Sequence, residues 1–427
     1  MKKDKAKLLL QAPKGMHDIL PENYIFYQAV FDKAEEIASH YGFQFIQTPI
    51  LENTDLFTAS LGASTDIVEK QMYTLKTKGG GNLALRPEGT APIMRSYIEH
   101  GMHTRPQPVM LWYKGSFFRH ENPQKGRFRE FQQFGLEIIG EPKPISETII
   151  VRVLTLILEE LGVGPIIVHI NSLGDKECRS LYRKNLVNYY RKKTKDICKD
   201  CLRRLKENPL RLLDCKEQKC GEIKQAAPQM VDYLCPPCKE HFKEVLESFD
   251  SSEIPYFLDN HLVRGLDYYS RTVFEIFEDR EERDDALASG GRYDYLARTL
   301  GRKDIPAVGG AIGVERVVQL MMDKKITPKQ KKLPKIFFIH LGAAAKHKSL
   351  KIIEMLRKAH LAVNHSIGKD SLRGQLKLAS KLNMSYALIL GQKETLENSI
   401  IVRDMDSDNQ ETVKIDELVE NIKNKLK

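Results

Sequence analysis

The sequence predicts an α+β protein in which an antiparallel sheet carries a helical insertion and is followed by a small α/β domain. Alternating apolar and polar residues in VMLWYKGSFF (109–118) and REFQQFGLEII (129–139) predict two antiparallel strands joined by a polar loop. Between residues 171 and 255 the chain becomes helical, charged and cysteine-containing, which indicates an insertion. After residue 335, strand and helix patterns alternate, which is typical of an α/β domain.

A length of 427 residues is enough for two to four domains. In chain order we predict the first part of the sheet domain, the insertion, the second part of the sheet domain, a linker and the α/β domain, with the bounds 1–170, 171–255, 256–323, 324–335 and 336–427. The linker KKITPKQKKLPK is polar and contains two prolines.

Within the first part, apolar residues three or four positions apart predict a helix over residues 22–41, which Gly42 ends. The extended segment FQFIQTPIL follows. Its Pro49 cannot donate to a sheet ladder, so the segment belongs at a sheet edge or against another surface. The remaining regular elements predicted before the insertion are strands near 72–76, 83–86 and 165–171 and a helix near 145–161.

The composition excludes a disordered or membrane-spanning chain. Apolar residues make up 41% of the sequence, with 17 Phe and 16 Tyr, which is enough to build hydrophobic cores. No apolar run approaches the roughly 18 residues of a membrane span. The N-terminal region has only three consecutive leucines, too few for the core of a signal peptide. We therefore expect a soluble, cytoplasmic protein with no membrane partner.

The net charge of +10 is concentrated at one end of the chain. Residues 324–427 carry 21 Lys and Arg against 11 Asp and Glu, whereas the rest of the sequence is balanced. A separate basic module is typical of proteins that bind a polyanion, most often nucleic acid, although a solubilising basic surface has the same composition. A second basic stretch, residues 176–211, has 13 basic and 4 acidic residues.

All seven cysteines lie between Cys178 and Cys238. The pairs Cys198-x-x-Cys201 and Cys235-x-x-Cys238 have the spacing of zinc knuckles, and these four thiolates together would hold one structural Zn²⁺. The alternative is a set of reduced, partly buried thiols. The 33 residues between the pairs favour that alternative, because common zinc ribbons have a shorter gap.

Common nucleotide and nucleophile motifs are absent from the sequence. It contains no G-x-x-x-x-G-K-[ST] loop, no G-x-G-x-x-G after a strand and no G-x-S-x-G elbow. If ATP is bound, a different scaffold must bind it.

The segment RPEGTAPIMR (86–95) contains a carboxylate and a hydroxyl, Glu88 and Thr90, which would share one face of a strand. Such a pair suits the ammonium group of a ligand. A purely structural ion pair of Glu88 with Arg86 or Arg95 is the alternative.

The predicted hairpin carries residues suited to a nucleotide. Arg119 can make a bidentate contact with phosphate, and Phe131 can stack on a base. Gln133 and Glu137 share a strand face with Phe131, where a carboxylate is costly without a partner. Taken alone, each of these features is more often structural than functional.

The segment LVRGLDYY is predicted as a strand that presents Arg264 and two adjacent tyrosines, Tyr268 and Tyr269, at least one of which must face the cleft. The glycines of SGGRYDYL and AVGGAIGVERV allow a backbone or a ligand to approach closely. Arg316 opens the helix that follows these glycines.

Together these segments resemble the histidyl-tRNA synthetases, which are class II aminoacyl-tRNA synthetases. The helix and strand around Pro49 resemble motif 1, FRHENPQKGRFREFQQFGLEI resembles motif 2, AVGGAIGVER resembles motif 3, and LVRGLDYY is similar to the segment that distinguishes the histidine enzymes. The resemblance implies a class II catalytic domain with an antiparallel sheet of six to seven strands. It also implies a homodimer built through motif 1 and a C-terminal anticodon-binding α/β domain.

The resemblance further implies a histidine–tRNA ligase, which activates L-histidine with ATP and Mg²⁺ and transfers it to the 3′ end of tRNA(His). The residues implied for histidine are Glu88, Gly89, Thr90, Gln133, Glu137, Arg264, Tyr268 and Tyr269. Those implied for ATP are Arg119, Glu121, Phe131 and Arg316. Arg264 and Arg119 are the implied catalytic residues, and Mg²⁺ would bridge the phosphates of ATP without a ligand assigned from the chain.

For tRNA, the resemblance implies that the loop 122–129 faces the acceptor end, the basic insertion clamps the acceptor stem and the C-terminal domain contacts the anticodon. Two residues depart from the expected pattern, Tyr295 and Gly310, and neither has an implied ligand role. One alternative is the related regulatory subunit of ATP phosphoribosyltransferase, which typically lacks both the anticodon domain and an intact LVRGLDYY. Another is a nucleic-acid-binding protein that keeps the fold without catalysis.

Overall fold

The structure is a computed structural model that describes residues 10–62, 65–124, 126–280, 286–328, 335–366 and 368–426. It divides into two compact units, Met1–Pro328 and Lys329–Lys427.

The strands of the first unit are β1 (Gln44–Phe45), β2 (Leu51–Asn53), β3 (Thr74–Lys76), β4 (Asn82–Leu85), β5 (Val109–Phe118), β6 (Glu130–Ile139), β7 (Ile166–Ser172), β8 (Tyr256–Leu258), β9 (Ser270–Glu278), β10 (Ala288–Arg292) and β11 (Ala307–Gly313). Its helices are α1 (Pro21–His40), α2 (Thr54–Leu61), α3 (Thr90–Glu99), α4 (Ile145–Glu160), α5 (Lys176–Arg191), α6 (Lys199–Glu207), α7 (Gly221–Gln225), α8 (Pro236–Ser251), α9 (Leu296–Thr299) and α10 (Val314–Asp323). Shorter helical turns occupy Ile67–Gln71, Met102–Thr104, Pro209–Asp214, Gln218–Cys220 and Met230–Tyr233.

The main sheet has the strand order β1-β5-β6-β11-β10-β9-β7-β8, and β2, β4 and β3 form a smaller sheet. Every pairing from β5 to β7 is antiparallel. The predicted antiparallel class II sheet is therefore confirmed, but the expected six to seven strands is wrong. The main sheet has eight strands, because the short strands β1 and β8 extend its two edges by parallel pairing.

Apolar side chains pack on both faces of the main sheet. On one face α1, α4 and α10 pack on the sheet, with Val30, Leu154 and Phe134 fully buried among them. On the other face α2 and α3 contribute Phe57 and Met94 to a second core. Burial on both sides fixes the register of the central strands, because a slip of one residue would exchange the two faces. Among the described helices, none is both long enough and apolar enough to cross a membrane.

The prediction that residues 86–95 form a strand is wrong. Strand β4 ends at Leu85 and α3 begins at Thr90, because the carboxylate of Glu88 accepts the backbone N–H groups of Thr90 and Ala91 and caps the new helix. Glu88 and Thr90 therefore meet at a helix N-terminus, and Glu88 forms no ion pair with Arg86 or Arg95 in the described contacts.

The prediction that LVRGLDYY is a strand is also wrong, since β9 begins only at Ser270. Polar groups in this segment bind other parts of the unit instead of a neighbouring strand. The carbonyl of Leu262 accepts from the side chain of Asn171, and Asp267 accepts from Asn208.

The insertion comprises α5 to α8 with three short helical turns between them. It has its own small core, in which buried cysteines pack with Tyr182, Leu186 and Tyr190. Arg203 and Arg211 of the insertion form ion pairs with Asp66, which lies in the segment before β3.

The second unit contains β12 (Ile336–His340), β13 (Val363–His365), β14 (Tyr386–Leu390), β15 (Ser399–Asp404) and β16 (Gln410–Lys414), with α11 (Ala343–Lys358), α12 (Leu372–Lys381), α13 (Gln392–Glu397) and α14 (Leu418–Lys425). A further short turn spans Ile415–Glu417. The sheet order is β13-β12-β14-β15-β16, parallel in its first part and antiparallel from β14 onward. The predicted α/β fold of this region is confirmed.

Candidate active site

A cleft with a cavity volume of about 520 Å³ lies over the central strands of the main sheet. The sequence-predicted residues that line it are Glu88, Gly89, Thr90, Arg119, Glu121, Phe131, Gln133, Arg264, Tyr268, Tyr269 and Arg316. Glu137 is the one predicted residue outside this lining. The segments that carry them are far apart in the chain, so the fold brings them together.

The end of the cleft next to α3 is acidic. Glu88 is buried, and its carboxylate accepts from the N–H of Thr90 (2.8 Å), the N–H of Ala91 (3.0 Å) and the hydroxyl of Tyr268 (3.3 Å). Burial raises the pKa of Glu88, and the two backbone donors act against that rise. The cap therefore holds an acidic oxygen pair in a fixed position against the cavity.

Glu137 lies fully buried behind the wall of the cleft. It accepts hydrogen bonds from Thr90 Oγ1 at 2.7 Å and from the hydroxyl of Tyr293. Burial, with a smaller effect from Glu88, raises its pKa to about 8. Its carboxylate fits only because Gly309 on the neighbouring strand has no side chain, since a Cβ there would overlap it.

Arg264 is held by two polar partners at the opposite side of the cavity. Its guanidinium donates to the carboxylate of Glu275 and, at 2.8 Å, to Ser289 Oγ, and it lies 5.7 Å from the ring centre of Tyr269. Burial is the largest single influence and acts to lower the pKa of Arg264, but Glu275 together with Tyr269 and Tyr268 raises it overall. A permanently charged group is thus fixed at one orientation inside the cleft.

Arg119 forms a second cationic point with an aromatic neighbour. Its Nε donates to the carbonyl of Pro87 at 2.8 Å, and its guanidinium lies 5.3 Å from the ring centre of Phe131. The carboxylate of Glu121 is 4.0 Å away. Arg316, in the first turn of α10, donates to the carbonyl of Ala286 at 2.6 Å.

Four residues that complete the site escaped the sequence analysis: Tyr113, Glu275, Ser289 and Tyr293. Tyr113 lies under the cavity, where Gly89 and Gly135 leave room for its ring. Tyr113, Glu275 and Ser289 stand in ordinary strand patterns and Tyr293 directly follows β10, so only the pairing of strands shows their proximity. The glycines in SGGRYDYL and AVGGAIGVERV were the sequence feature that could have pointed to these neighbours. At Gly309, for example, the missing side chain leaves room for the carboxylate of Glu137.

The cysteines do not assemble as predicted. Cys198 and Cys201 gather with Cys215 and Cys220, whereas Cys235 and Cys238 gather with Cys178 and Asp175. The predicted quartet of Cys198, Cys201, Cys235 and Cys238 is therefore wrong. Cys215 and Cys220, from the 33 residues between the pairs, join the first pair, whereas Asp175 and Cys178, which precede both pairs in the chain, join the second.

Chemically, the cleft offers buried carboxyl groups at one end and three guanidinium groups along its length. Carboxylates suit an amine or an imidazole N–H, and fixed guanidinium groups suit carboxylate and phosphate oxygens. An aromatic ring beside one guanidinium suits a planar base. The arrangement fits a reaction between an amino acid and a nucleoside triphosphate.

Comparisons with known proteins agree with this chemistry. A family described as histidyl-tRNA synthetase matches residues 15–317, and one described as anticodon binding domain matches residues 334–425. A histidine–tRNA ligase of Dehalococcoides mccartyi (strain ATCC BAA-2266 / KCTC 15142 / 195) is 40% identical over 98% of this chain and 100% of its own. A histidine–tRNA ligase of Caldicellulosiruptor saccharolyticus is 41% identical over 98% of this chain and 100% of its own length. The apo structure of S. aureus histidyl-tRNA synthetase is similar with a TM-score of 0.80 and 32% identity, over 97% of this chain and 99% of its own.

Proposed function

Because this chain belongs to the histidyl-tRNA synthetase family, we propose a role in that family's reaction for each group in its cleft. The chain is a histidine–tRNA ligase, which activates histidine with ATP and then joins it to tRNA. In the first step the histidine carboxylate attacks the α-phosphate and pyrophosphate leaves. In the second step histidine passes to the 3′ end of tRNA(His) and AMP is released.

The acidic end of the cleft is the proposed site for histidine. Glu88, Thr90 and Gln133 bind the α-amino group, next to the backbone of Gly89. Glu137 and Tyr269 bind the imidazole, with Tyr268 holding Glu88 in place. The carboxyl group of Glu137 reaches the wall of the cavity beside Thr90 and Gly309, and both of these line the cleft. A buried acceptor for an N–H rejects aliphatic amino acids, because they would leave it unpaired.

The observation that carries the proposal is the fixed guanidinium of Arg264. It shares one cavity with Arg119, and Glu275 and Ser289 hold its orientation before any substrate arrives. We assign it to the histidine carboxylate and the α-phosphate, where negative charge develops during the attack. A preorganised donor at that point stabilises the transition state without reorganising. No general base is required, because the carboxylate is already ionised.

The cationic and aromatic end of the cleft is the proposed site for ATP. Arg119 binds the α-phosphate, Glu121 and Phe131 bind the adenine, and Arg316 lies on the γ-phosphate side. The ring of Phe131 beside Arg119 supports this assignment, since a base and a phosphate would then meet adjacent groups. Mg²⁺ enters as the ATP complex and neutralises phosphate charge.

We also propose a homodimer formed through motif 1. The edge strand β1 and the small sheet leave large apolar side chains exposed, namely Tyr41, Phe45, Ile50, Leu51 and Leu75. Several large apolar side chains exposed near a sheet edge are typical of an interface between protein chains. Sedimentation of an Ile50→Asp variant should show monomer if this patch is the interface, and an unchanged dimer would place the interface elsewhere.

The remaining assignments concern tRNA. The loop 122–129 faces the acceptor end, the basic stretch 176–211 contacts the acceptor stem and the C-terminal unit binds the anticodon region. The matched anticodon-binding family supports the last of these. Because tRNA charging serves translation, we place the protein in the cytoplasm.

Histidine-dependent exchange of pyrophosphate into ATP tests the proposed cleft. Exchange should occur with histidine and with no other proteinogenic amino acid. Arg264→Ala should lower the exchange rate by roughly 100-fold or more, which is the usual cost of losing one preorganised transition-state donor. Arg264→Lys keeps the charge but loses the forked guanidinium that contacts both Glu275 and Ser289. Its exchange rate should lie between those of the unmodified chain and Arg264→Ala.

The matched control is Arg298→Ala, because this arginine is exposed on α9, pairs with Asp304 and lies outside the cleft. Thermal unfolding of each variant shows whether the fold survives. A folded Arg264→Ala protein that exchanges within about threefold of the unmodified chain would remove Arg264 from the proposed step. Absence of exchange with every amino acid would favour the alternative of a regulatory subunit related to that of ATP phosphoribosyltransferase.

A further inference from the structure

The insertion gathers all seven cysteines of the chain into two compact groups. We call them group A, with Cys198, Cys201, Cys215 and Cys220, and group B, with Asp175, Cys178, Cys235 and Cys238. Within each group the candidate ligand atoms all lie within 4.8 Å of one another. All seven side chains are free thiols, so no disulfide accounts for the clustering.

We propose that the insertion binds two structural zinc ions, one held by the four thiolates of group A and one by the three thiolates and the Asp175 carboxylate of group B. Zinc sites of this kind are closed and tetrahedral, with cysteine, histidine or carboxylate ligands. Neither ion would lie in the cleft that carries the ligase reaction, so this proposal stands independently of the roles assigned there.

Distances within group A fit a single tetrahedral ion. A zinc–sulfur distance of about 2.3 Å places two sulfur ligands about 3.8 Å apart. The sulfur atoms of Cys198 and Cys215 are 3.9 Å apart. A disulfide would need sulfur atoms at about 2.0 Å, and a four-iron cluster would spread them farther because each thiolate binds a different iron.

The backbone around the sulfur atoms is arranged as in metal knuckles. Cys198 is the N-cap of α6, and the N–H of Cys201 points at its sulfur at 3.4 Å. The N–H of Cys198 in turn points at the sulfur of Cys220 at 3.3 Å. A helix N-terminus and N–H donors both stabilise the thiolate form, which is the form that binds metal.

Group B repeats this geometry at two other helices. Asp175 is the N-cap of α5, and its Oδ1 accepts the N–H of Cys178 at 3.0 Å. Cys235 is the N-cap of α8, and its N–H points at the sulfur of Cys178 at 3.0 Å. The second oxygen of Asp175 faces the sulfur of Cys235 at 3.4 Å, so it remains available as a fourth ligand.

The insertion also needs a cross-link of this kind. Cysteines are 5 of the 13 buried residues in its core. Small domains with little hydrocarbon to bury are commonly stabilised by a structural metal. Group A would tie α6 to the turns that follow it, and group B would join the start of α5 to the start of α8.

Charge around group A favours occupation by a divalent ion. Four thiolates on one Zn²⁺ leave a net charge of −2, which needs nearby cations. Lys224 lies against the loop of Cys215, with its Nζ 3.4 Å from the carbonyl of that residue. Lys199, Lys216 and Lys219 are neighbours of the ligands in the chain.

Metal analysis of the full chain, purified without chelator and without added metal, is the direct test. We expect about two zinc ions per chain. Cys215→Ser should lose the ion of group A and Cys238→Ser that of group B, so each variant should retain about one. Ser180→Ala, an exposed change on α5 outside both groups, should retain two.

Stepwise addition of Co²⁺ to the metal-stripped, unmodified chain gives a second reading that depends on no variant folding. The thiolate-to-cobalt absorption should rise until two equivalents are bound, with a larger rise for the four-thiolate site. Less than about 0.3 zinc per chain, together with no cobalt–thiolate absorption, would overturn the proposal. One ion that Cys238→Ser leaves in place would overturn group B, and iron in place of zinc would overturn both.

Discussion

The cleft and the cysteine-rich insertion belong to the same unit but hold their polar groups in different ways. In the cleft, hydrogen-bond partners come from distant parts of the sequence, as when Thr90 binds Glu137 and Arg264 binds Ser289. Long antiparallel strands with a core on both faces set those positions. In the insertion, sulfur atoms gather from helix N-termini and short turns over a small core in which cysteines are 5 of 13 buried residues.

This difference predicts where each region is sensitive. A cleft built on packed strands tolerates little change in its buried polar pairs, and damage there should appear in the fold or in histidine activation. The insertion contributes Asp214 and Lys216 to the lining of the cleft. Changes in the insertion away from these two residues should alter tRNA use or local stability while adenylation continues. The predictions below test this separation in order of decreasing effect.

The largest expected effect comes from the buried pair beneath the sheet. Arg292 and Glu147 are both fully buried, with Nε of Arg292 2.7 Å from Glu147 Oε1, and His241 also contacts that carboxylate. Glu147→Gln leaves the buried guanidinium with the Asp294 carboxylate, at 3.2 Å, as its remaining counter-charge among the described contacts, which should cost about 3–5 kcal/mol of unfolding free energy. Denaturant unfolding of the first unit, followed by the fluorescence of Trp112, measures it.

Glu99→Gln is the matched control, because Glu99 is largely exposed and pairs with Arg95 at the surface. It should change the unfolding free energy by less than about 1 kcal/mol.

The stabilising effect of Glu147 should also depend on pH. Burial acts to raise the pKa of Glu147, but Arg292 overcomes this and lowers it to about 2. Its contribution is therefore present above about pH 4.5 and is lost as the pH falls toward 2. If Glu147→Gln and Glu99→Gln lower the unfolding free energy equally, burial does not make the first ion pair more important for stability than the second.

The next effect concerns histidine activation. Glu137→Gln keeps the shape of the side chain but replaces one carboxyl oxygen by an NH₂ group that can only donate, and we expect kcat/KM for histidine to fall roughly 100-fold. The KM for ATP should change little, because Glu137 lies at the other end of the cleft from Arg316. Pyrophosphate exchange at varied histidine and at varied ATP separates the two, and a purely ATP-dependent defect would contradict the assignment.

The same variant tests whether burial keeps Glu137 protonated in the folded protein. With its pKa raised to about 8, Glu137 keeps a proton in the folded state that the unfolded chain releases near pH 4.5. The unfolding free energy of the unmodified chain should therefore decrease as the pH rises from about 4.5 to 8. Glu137→Gln should lack this decrease, and parallel pH curves for the two proteins would show that the carboxyl group is ionised throughout.

In the insertion, neutralising exposed lysines should affect tRNA alone. The triple change Lys192→Gln, Lys193→Gln and Lys195→Gln removes three positive charges from the exposed turn after α5. We expect the KM for tRNA to rise about tenfold and its salt dependence to weaken, since phosphate contacts release counterions. Pyrophosphate exchange without tRNA should be unchanged.

The control for that experiment neutralises three exposed lysines elsewhere in the unit, Lys76, Lys78 and Lys303. These changes should leave the KM for tRNA within about twofold. If the triple change in the insertion lowers exchange and tRNA charging equally, the insertion acts on the cleft and the proposed separation fails.

The sequence predicts the fold well where apolar residues recur with the regular spacing of a strand or a helix. Strands β5 and β6 and helix α4 follow from alternation or from helical spacing, and all three appear within a residue or two of the predicted bounds. Prediction fails at residues 86–95 and 262–269. There the local structure depends on hydrogen bonds to remote groups, such as the bond between Asn171 and the carbonyl of Leu262, which leave no periodic trace.

The site shows the same limit. Arginines, tyrosines and carboxylates in unusual runs mark the cleft, and family resemblance supplies their roles. Glu275 and Ser289 were missed because they look like ordinary strand residues until β9 and β10 pair. For the cysteines, spacing correctly identifies the C-x-x-C pairs, but it cannot tell which pairs meet. The folding of the chain between Cys201 and Cys235 decides that, and it separates them.

The smallest expected effect comes from replacing a glycine by alanine in the insertion, and the same type of replacement in the cleft gives the comparison. Gly221 opens α7 of the insertion with a helical backbone, and a Cβ there meets no atom within 4 Å. Gly221→Ala should therefore slow hydrogen exchange in residues 221–225 and stabilise this helix by about 0.4–1 kcal/mol, because alanine restricts the unfolded chain. Gly309→Ala in the cleft should do the opposite, because its Cβ would overlap the carboxylate of Glu137. If both glycines tolerate alanine equally, the cleft is less tightly packed around Glu137 than the contacts indicate.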